Sequence, residues 1–190
     1  MSYQLTAIGH QHSKGLRVAA AIMAIALAPM LSVPGSRFTG SSLQAQETGL
    51  ALGTKAPSST IVTTLDGKPF DMGQYIGKTP VLIEFWATWC PNCKELEPAM
   101  AQTAKKYAGK IKFVGIAVSV NQSPERVKLY AEKHALPLEV YFDTKGNAAD
   151  AYDAAATSYI VVVNKAGTVV YTGLGGTQNL DAAVKKAIGG

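Results

Sequence analysis

Two cysteines occur in the 190-residue chain, three positions apart, in Trp89-Cys90-Pro91-Asn92-Cys93-Lys94. At that spacing two sulfurs can close a small disulfide ring, and no other cysteine is present to pair with either. An apolar run precedes the pair and a helical pattern comes after it, so Cys90 is expected at a helix N-terminus. Unpaired backbone N–H groups and the helix dipole there favour a thiolate, which makes Cys90 the attacking sulfur. Pro91 suits the first helical turn, where its missing N–H is not needed. Cys93, one turn inward, is expected to be less exposed and to resolve the mixed disulfide. The plainer alternative is two ordinary buried cysteines or half of a metal site. Only His10, His12 and His134 could add to such a site, and a four-cysteine zinc centre is excluded.

Glu84 stands six residues before Cys90, inside the otherwise apolar Val81-Leu82-Ile83-Glu84-Phe85-Trp86. A strand of that length places it beneath the cysteine helix. A carboxyl buried there would hold its proton to higher pH and could accept the Cys93 proton during resolution. The alternative is a Glu at the strand edge, solvated or paired with a lysine. Trp86 is expected in the core. Trp89, beside the nucleophile, is the candidate contact for a docking partner. His134 is expected on a helix surface with no catalytic role.

The elements that must position these residues are read from pattern. Ile61-Val62-Thr63-Thr64-Leu65 is a β-branched run ending at the turn Asp66-Gly67. Strands are predicted at Val81–Trp86, Ile111–Val118 and Leu138–Phe142. Helices are predicted from Cys93 to about Tyr107 and from Ser123-Pro124, with Ser as N-cap and Pro at the first position. Tyr159–Val163 and Thr168–Tyr171 form a hairpin about Asn164–Gly167, and a helix at about Asn179–Ile188 closes the chain. Strand–helix–strand order demands parallel crossovers, and the hairpin adds an antiparallel edge. The expected class is α/β: a central mixed sheet flanked by helices on both faces.

The first acidic residue is Glu47, preceded by Lys14, Arg17 and Arg37; beyond them the balance is 15 basic against 13 acidic. The formal charge of +5 therefore belongs partly to the N-terminal segment. No basic stripe interleaved with aromatics appears later in the chain, so no nucleic-acid partner is expected. Val18–Ser36 runs without a charge behind Lys14 and Arg17, which reads as an export signal or a retained membrane anchor, with the remainder of the chain outside the cytoplasm. Leu43-Gln44-Ala45 offers a cleavage site with a bulky Leu43. Residues 1–45 are thus assigned to leader and linker, and 46–190 to one globular domain.

Phe85-Trp86-Ala87-Thr88-Trp89-Cys90-Pro91-Asn92-Cys93-Lys94 resembles the active site of the thioredoxin superfamily. Gly53-Thr54-Lys55-Ala56-Pro57, Leu65-Asp66-Gly67-Lys68 and Gly77-Lys78 resemble its TlpA/ResA-like branch of exported or membrane-anchored bacterial thiol-disulfide oxidoreductases. The resemblance covers about Leu52 to Ile188. It implies a thioredoxin fold with an N-terminal strand or hairpin extension. It also implies a mechanism without a cofactor beyond the Cys90–Cys93 disulfide, and a reducing role in cytochrome c maturation or in preparing cysteines for metal insertion. Partners would be protein thiols and disulfides and a membrane electron-transfer reductant. Two positions depart from the family. Ser158, after Ala156-Thr157, occupies the place of a cis-proline that shapes the substrate groove and keeps metals from the thiolates, and its Oγ has room to approach Cys90. Gln122 stands near where ResA-like members carry an acidic residue. Thr157, Ser158, Trp89 and Pro91 are the substrate-binding candidates; Cys90, Cys93 and Glu84 are the catalytic ones.

A reductase is the leading expectation, because Asn92 adds no positive charge that would stabilise the thiolate. A copper-binding assembly factor using the same cysteines, opened by Ser158, is the alternative. A peroxidase of the peroxiredoxin type needs Thr three residues before the cysteine, where this chain has Ala87.

Overall fold

The computed structural model describes residues 49–189, and the leader and linker assigned to 1–45 lie outside the described residues. No helix among the described residues is long and apolar enough to cross a membrane.

The centre of the sheet is β3 (Val81–Trp86), a run of six residues that are all buried. It pairs parallel with β4 (Lys112–Val118) and antiparallel with β6 (Tyr159–Val163). Two-residue alternation sends Val81, Ile83 and Phe85 to one face and Leu82, Glu84 and Trp86 to the other. β5 (Glu139–Asp143) extends the parallel side. The hairpin β1–β2 (Ile61–Thr64, Pro69–Asp71) turns at Asp66-Gly67 as expected, and β1 joins β5 antiparallel. β7 (Val169–Leu174) completes the seven-stranded order β2-β1-β5-β4-β3-β6-β7. The N-terminal segment bridges to the β7 end through Lys55 and Thr168.

α1 (Pro91–Lys106) crosses from β3 to β4, and α2 (Pro124–Lys133) from β4 to β5. α1 and α4 (Leu180–Ile188) pack through Leu96, Met100, Leu180 and Val184 on Leu82, Ile160 and Val162. α2 reaches the same face through Val127 against Trp86 and Cys93. The other face is covered by α3 (Asn147–Ala151), with Ala148 and Tyr152 against Ile83 and Phe85. The mixed sheet with helices on both faces is therefore present.

Two details differ from the pattern-based expectation. α1 starts at Pro91 rather than Cys93, because Cys90 itself is the N-cap. α3 has no sequence prediction: five residues are too few to show a helical period. Its first turn is held from outside by the buried Asp143 carboxylate, which accepts from the Ala149 N–H.

Candidate active site

Cys90 ends the β3 loop in an extended conformation (φ −78°, ψ 116°) and caps α1, its Sγ accepting from the Cys93 N–H at 3.1 Å. Cys90 and Cys93 are joined by a disulfide, with Cα atoms 5.4 Å apart. The sulfur that would become a thiolate thus already receives a backbone N–H at the positive end of a helix, which lowers the cost of its charge. Both residues are buried, Cys90 2% exposed and Cys93 5%. Cys93 is thus not the more protected of the two. The reason is that Cys90 folds back over the first turn of its own helix, among Ala87, Trp86 and Phe142. Pro91 lies exposed at the first helical position beside the pair.

Glu84 is buried on the α1 face of β3, between Leu82 and Trp86, and its Oε1 has no hydrogen-bond partner among the described residues. An unpaired carboxylate in such a place is costly, so the acid form is favoured. Burial, with a smaller contribution from the charge of Glu97, pushes Glu84 up to about 8 from its ordinary 4.5. That value lies close to a free thiol's, about 8.5. Glu97 is one turn beyond Cys93 on α1. It accepts from Tyr130 Oη at 2.7 Å and is paired with His134 Nδ1 at 3.1 Å. The Tyr130 ring stacks on His134, with centroids 3.9 Å apart, and tilts against Trp86. His134 is at the surface end of α2, as expected, but it is engaged there. On β4, Gly115 sits beside Glu84, and a Cβ there would stand 2.8 Å from Trp86 Nε1.

Around the disulfide, the Trp89 loop is tied to the loop after β4. Trp89 Nε1 donates to the Val120 carbonyl (2.8 Å), the Thr88 N–H to Gln122 Oε1 (2.9 Å), and Gln122 Nε2 to the Val118 carbonyl (2.6 Å). Gln122 thus holds the loop, where an acidic side chain could accept from Thr88 but could not also donate to Val118. Trp89 keeps 41% of its surface exposed. With Val118, Val120, Ala149, Ala154 and Thr157 it lines an open, mostly apolar groove of about 380 Å³. Ser158 is fully buried, with φ 63°. Its N–H donates to the Phe85 carbonyl (2.8 Å) and its Oγ to the Gly175 carbonyl (3.0 Å). The hydroxyl is therefore committed to Gly175 rather than to the cysteines. Of the two residues, Thr157 faces the groove and Ser158 fixes it from behind.

A family model described as Redoxin matches residues 51–188. The chain belongs to the Redoxin family. Among curated Redoxin-like relatives, it is 35% identical over 106 residues to the thioredoxin-like protein YneN of Bacillus subtilis, covering 55% of this chain and 61% of that one. It is 30% identical over 118 residues to the thiol-disulfide oxidoreductase ResA of the same organism, covering 62% and 64%. The matched stretch thus spans about three fifths of the length of these relatives. A solved thiol:disulfide interchange protein of the thioredoxin family from Chlorobium tepidum superposes with TM-score 0.60 at 30% identity, covering 73% of this chain and 99% of that one. The fold is the thioredoxin fold, in the TlpA/ResA-like part of the superfamily.

Within this Redoxin site, sequence reasoning passes over Glu97 and Tyr130. The signal available is spacing, since Glu97 is four residues from Cys93 and shares its helix face. Gln178, which contacts the Ser158 turn, carries no such signal. Among the described residues no group of three or more His, Cys, Asp and Glu side chains is placed to hold a metal.

Glu84 also makes stability depend on pH. Below about pH 4.5 the carboxyl is protonated whether the chain is folded or not. As pH rises from there to about 8, the unfolded chain ionises while the folded one keeps its proton, so stability falls across that window. Glu84→Gln removes the dependence. It is expected to stabilise the protein by roughly 4 kcal/mol at the upper end of the window and to change little at its lower end. Urea unfolding at the two ends checks this; an equal effect at both would count against a neutral buried carboxyl. Glu97→Gln removes the smaller cause, so the Glu84 titration should move down by less than about one pH unit, read from the side-chain carboxyl ¹³C shift.

Proposed function

We propose that the chain is an extracytoplasmic protein thiol-disulfide oxidoreductase that acts as a reductase. The observation that carries this reading is the Cys90–Cys93 disulfide at the N-terminus of α1 with Glu84 buried beneath it. In the reduced protein, the Cys90 thiolate attacks one sulfur of a substrate disulfide. A Cys90–substrate disulfide forms and one substrate thiolate leaves. Cys93 then gives its proton to the Glu84 carboxylate and attacks Cys90 Sγ, which closes the Cys90–Cys93 disulfide and frees the second substrate thiolate. The substrate gains two electrons and the cysteine pair loses two. The pair is the only redox group this cycle uses, and a reductant must restore it.

Trp89 and Thr157 line the apolar groove, which supports docking of a protein segment next to the cysteine loop, and the exposed Pro91 adjoins Cys90 in the chain. The charge-free Val18–Ser36 behind Lys14 and Arg17 supports export or anchoring, and so a membrane electron-transfer protein as reductant. The relatives named thiol-disulfide oxidoreductase ResA support thiol-disulfide exchange as the reaction, and the family resemblance suggests cytochrome c maturation as its setting.

Because Glu84 acts as a base, the resolving step should accelerate as pH rises through about 8. Glu84→Gln should lose that limb and slow resolution roughly 10²-fold, measured by stopped-flow Trp fluorescence. The direction of exchange is tested by equilibrating the pair with glutathione buffers and counting alkylated thiols. The expected potential is more reducing than about −230 mV; one near about −120 mV would overturn the reductase direction.

A further inference from the structure

The turn that carries Thr157 is held by one side chain the catalytic cycle does not use. Ser158 lies in the left-handed region, at φ 63°, where a non-glycine residue persists only if its surroundings over-determine it. The Gln178 amide Nε2 donates to the Ser158 carbonyl (3.1 Å) and to the Gly175 carbonyl (2.7 Å). Its Oε1 accepts from Tyr171 Oη at 3.1 Å, which fixes which way the amide faces. The Gly175 N–H returns a bond to the Ser158 carbonyl (3.1 Å), and Ser158 Oγ closes the ring on the Gly175 carbonyl. Gly173 has no room for a Cβ, which would collide with Gln178 Oε1 and Tyr171 Oη, so the strand leaves space for this amide. Five bonds thus converge behind a residue whose neighbour, Thr157, lines the groove opposite Trp89.

We propose that Gln178 is a positioning residue for substrate specificity: its amide locks Ser158 in the left-handed turn and so sets the Thr157 wall of the docking groove. The inference rests on the reading of that groove as the place where a protein disulfide docks. Gln178 touches neither sulfur nor substrate, so its effect falls on docking rather than on thiol exchange itself.

Gln178→Met keeps length and removes the amide. With insulin as the protein disulfide, KM should rise about five- to tenfold, the size expected for losing one or two hydrogen bonds that hold the turn. The kcat should change by less than about twofold, and so should the rate with oxidised glutathione, which is too small to need the wall. Adding Ser158→Gly should bring KM part of the way back, because glycine adopts φ near 63° without a latch, although the Gly175 carbonyl then also loses its Ser158 Oγ donor. An unchanged KM in Gln178→Met overturns the proposal. Equal losses on insulin and glutathione, with no recovery in the double variant, also overturn it by showing a general structural role. If the parent protein itself does not reduce insulin, the proposed function falls and the inference with it; an active parent with an indifferent Gln178→Met removes the inference alone.

Discussion

Cys90→Ser is expected to lower disulfide exchange by at least about 10³-fold, leaving no turnover of insulin above the uncatalysed dithiol rate. The hydroxyl that replaces the sulfur is not ionised near neutrality, even where the Cys93 N–H and the α1 N-terminus would favour its charge. Cys93→Ala has a different signature. Attack by Cys90 survives, but nothing then breaks the mixed disulfide from within. The two variants therefore fail at different steps, and substrate accumulates on the protein only in the second.

Ser158→Pro is expected to destabilise the domain by about 4 kcal/mol or more, a large part of the stability of a domain this size. Proline needs φ near about −65°, whereas Ser158 sits at 63°. The substitution also deletes the N–H that serves the Phe85 carbonyl, which strands that buried acceptor, and the Oγ that serves the Gly175 carbonyl, which keeps only the Gln178 amide. Proline, which the family resemblance leads one to expect at this position, would thus damage this chain, because the surrounding turn is built about a different backbone conformation. Chemical unfolding at neutral pH measures the effect; a loss under about 1 kcal/mol would mean that the turn relaxes to accept proline.

What can be read from residues alone depends on the range of each signal. Cys90, Pro91 and Cys93 lie within one turn of helix, so their geometry is local and legible. Glu84 is legible because a charge in a six-residue apolar strand has few places to go, and two-residue alternation puts it on the helix side. The mixed sheet and the β6–β7 hairpin come from strand–helix alternation and from the Asn164–Gly167 turn, both short-range patterns. The polar contacts that hold the site have no such pattern. Thr88 meets Gln122, Glu97 meets Tyr130, and Ser158 meets Gln178, in each case across 20 or more residues. Single polar side chains in loops have no period, and only the packed fold brings them together. The burial of Cys90 is illegible for a related reason. Its place at a helix end predicts an open sulfur, but the disulfide and the Cys93 N–H draw that sulfur against the helix instead.

Cys90 forms the bond to substrate in the proposed cycle, and Cys93 breaks it. Reduced Cys93→Ala protein mixed with insulin, quenched in acid, alkylated and digested, tests this most directly by mass spectrometry. The expected result is an insulin-chain adduct on the Cys90 peptide, absent from the parent protein and from Cys90→Ser. No adduct on Cys90, or turnover that persists in Cys90→Ser, would contradict it.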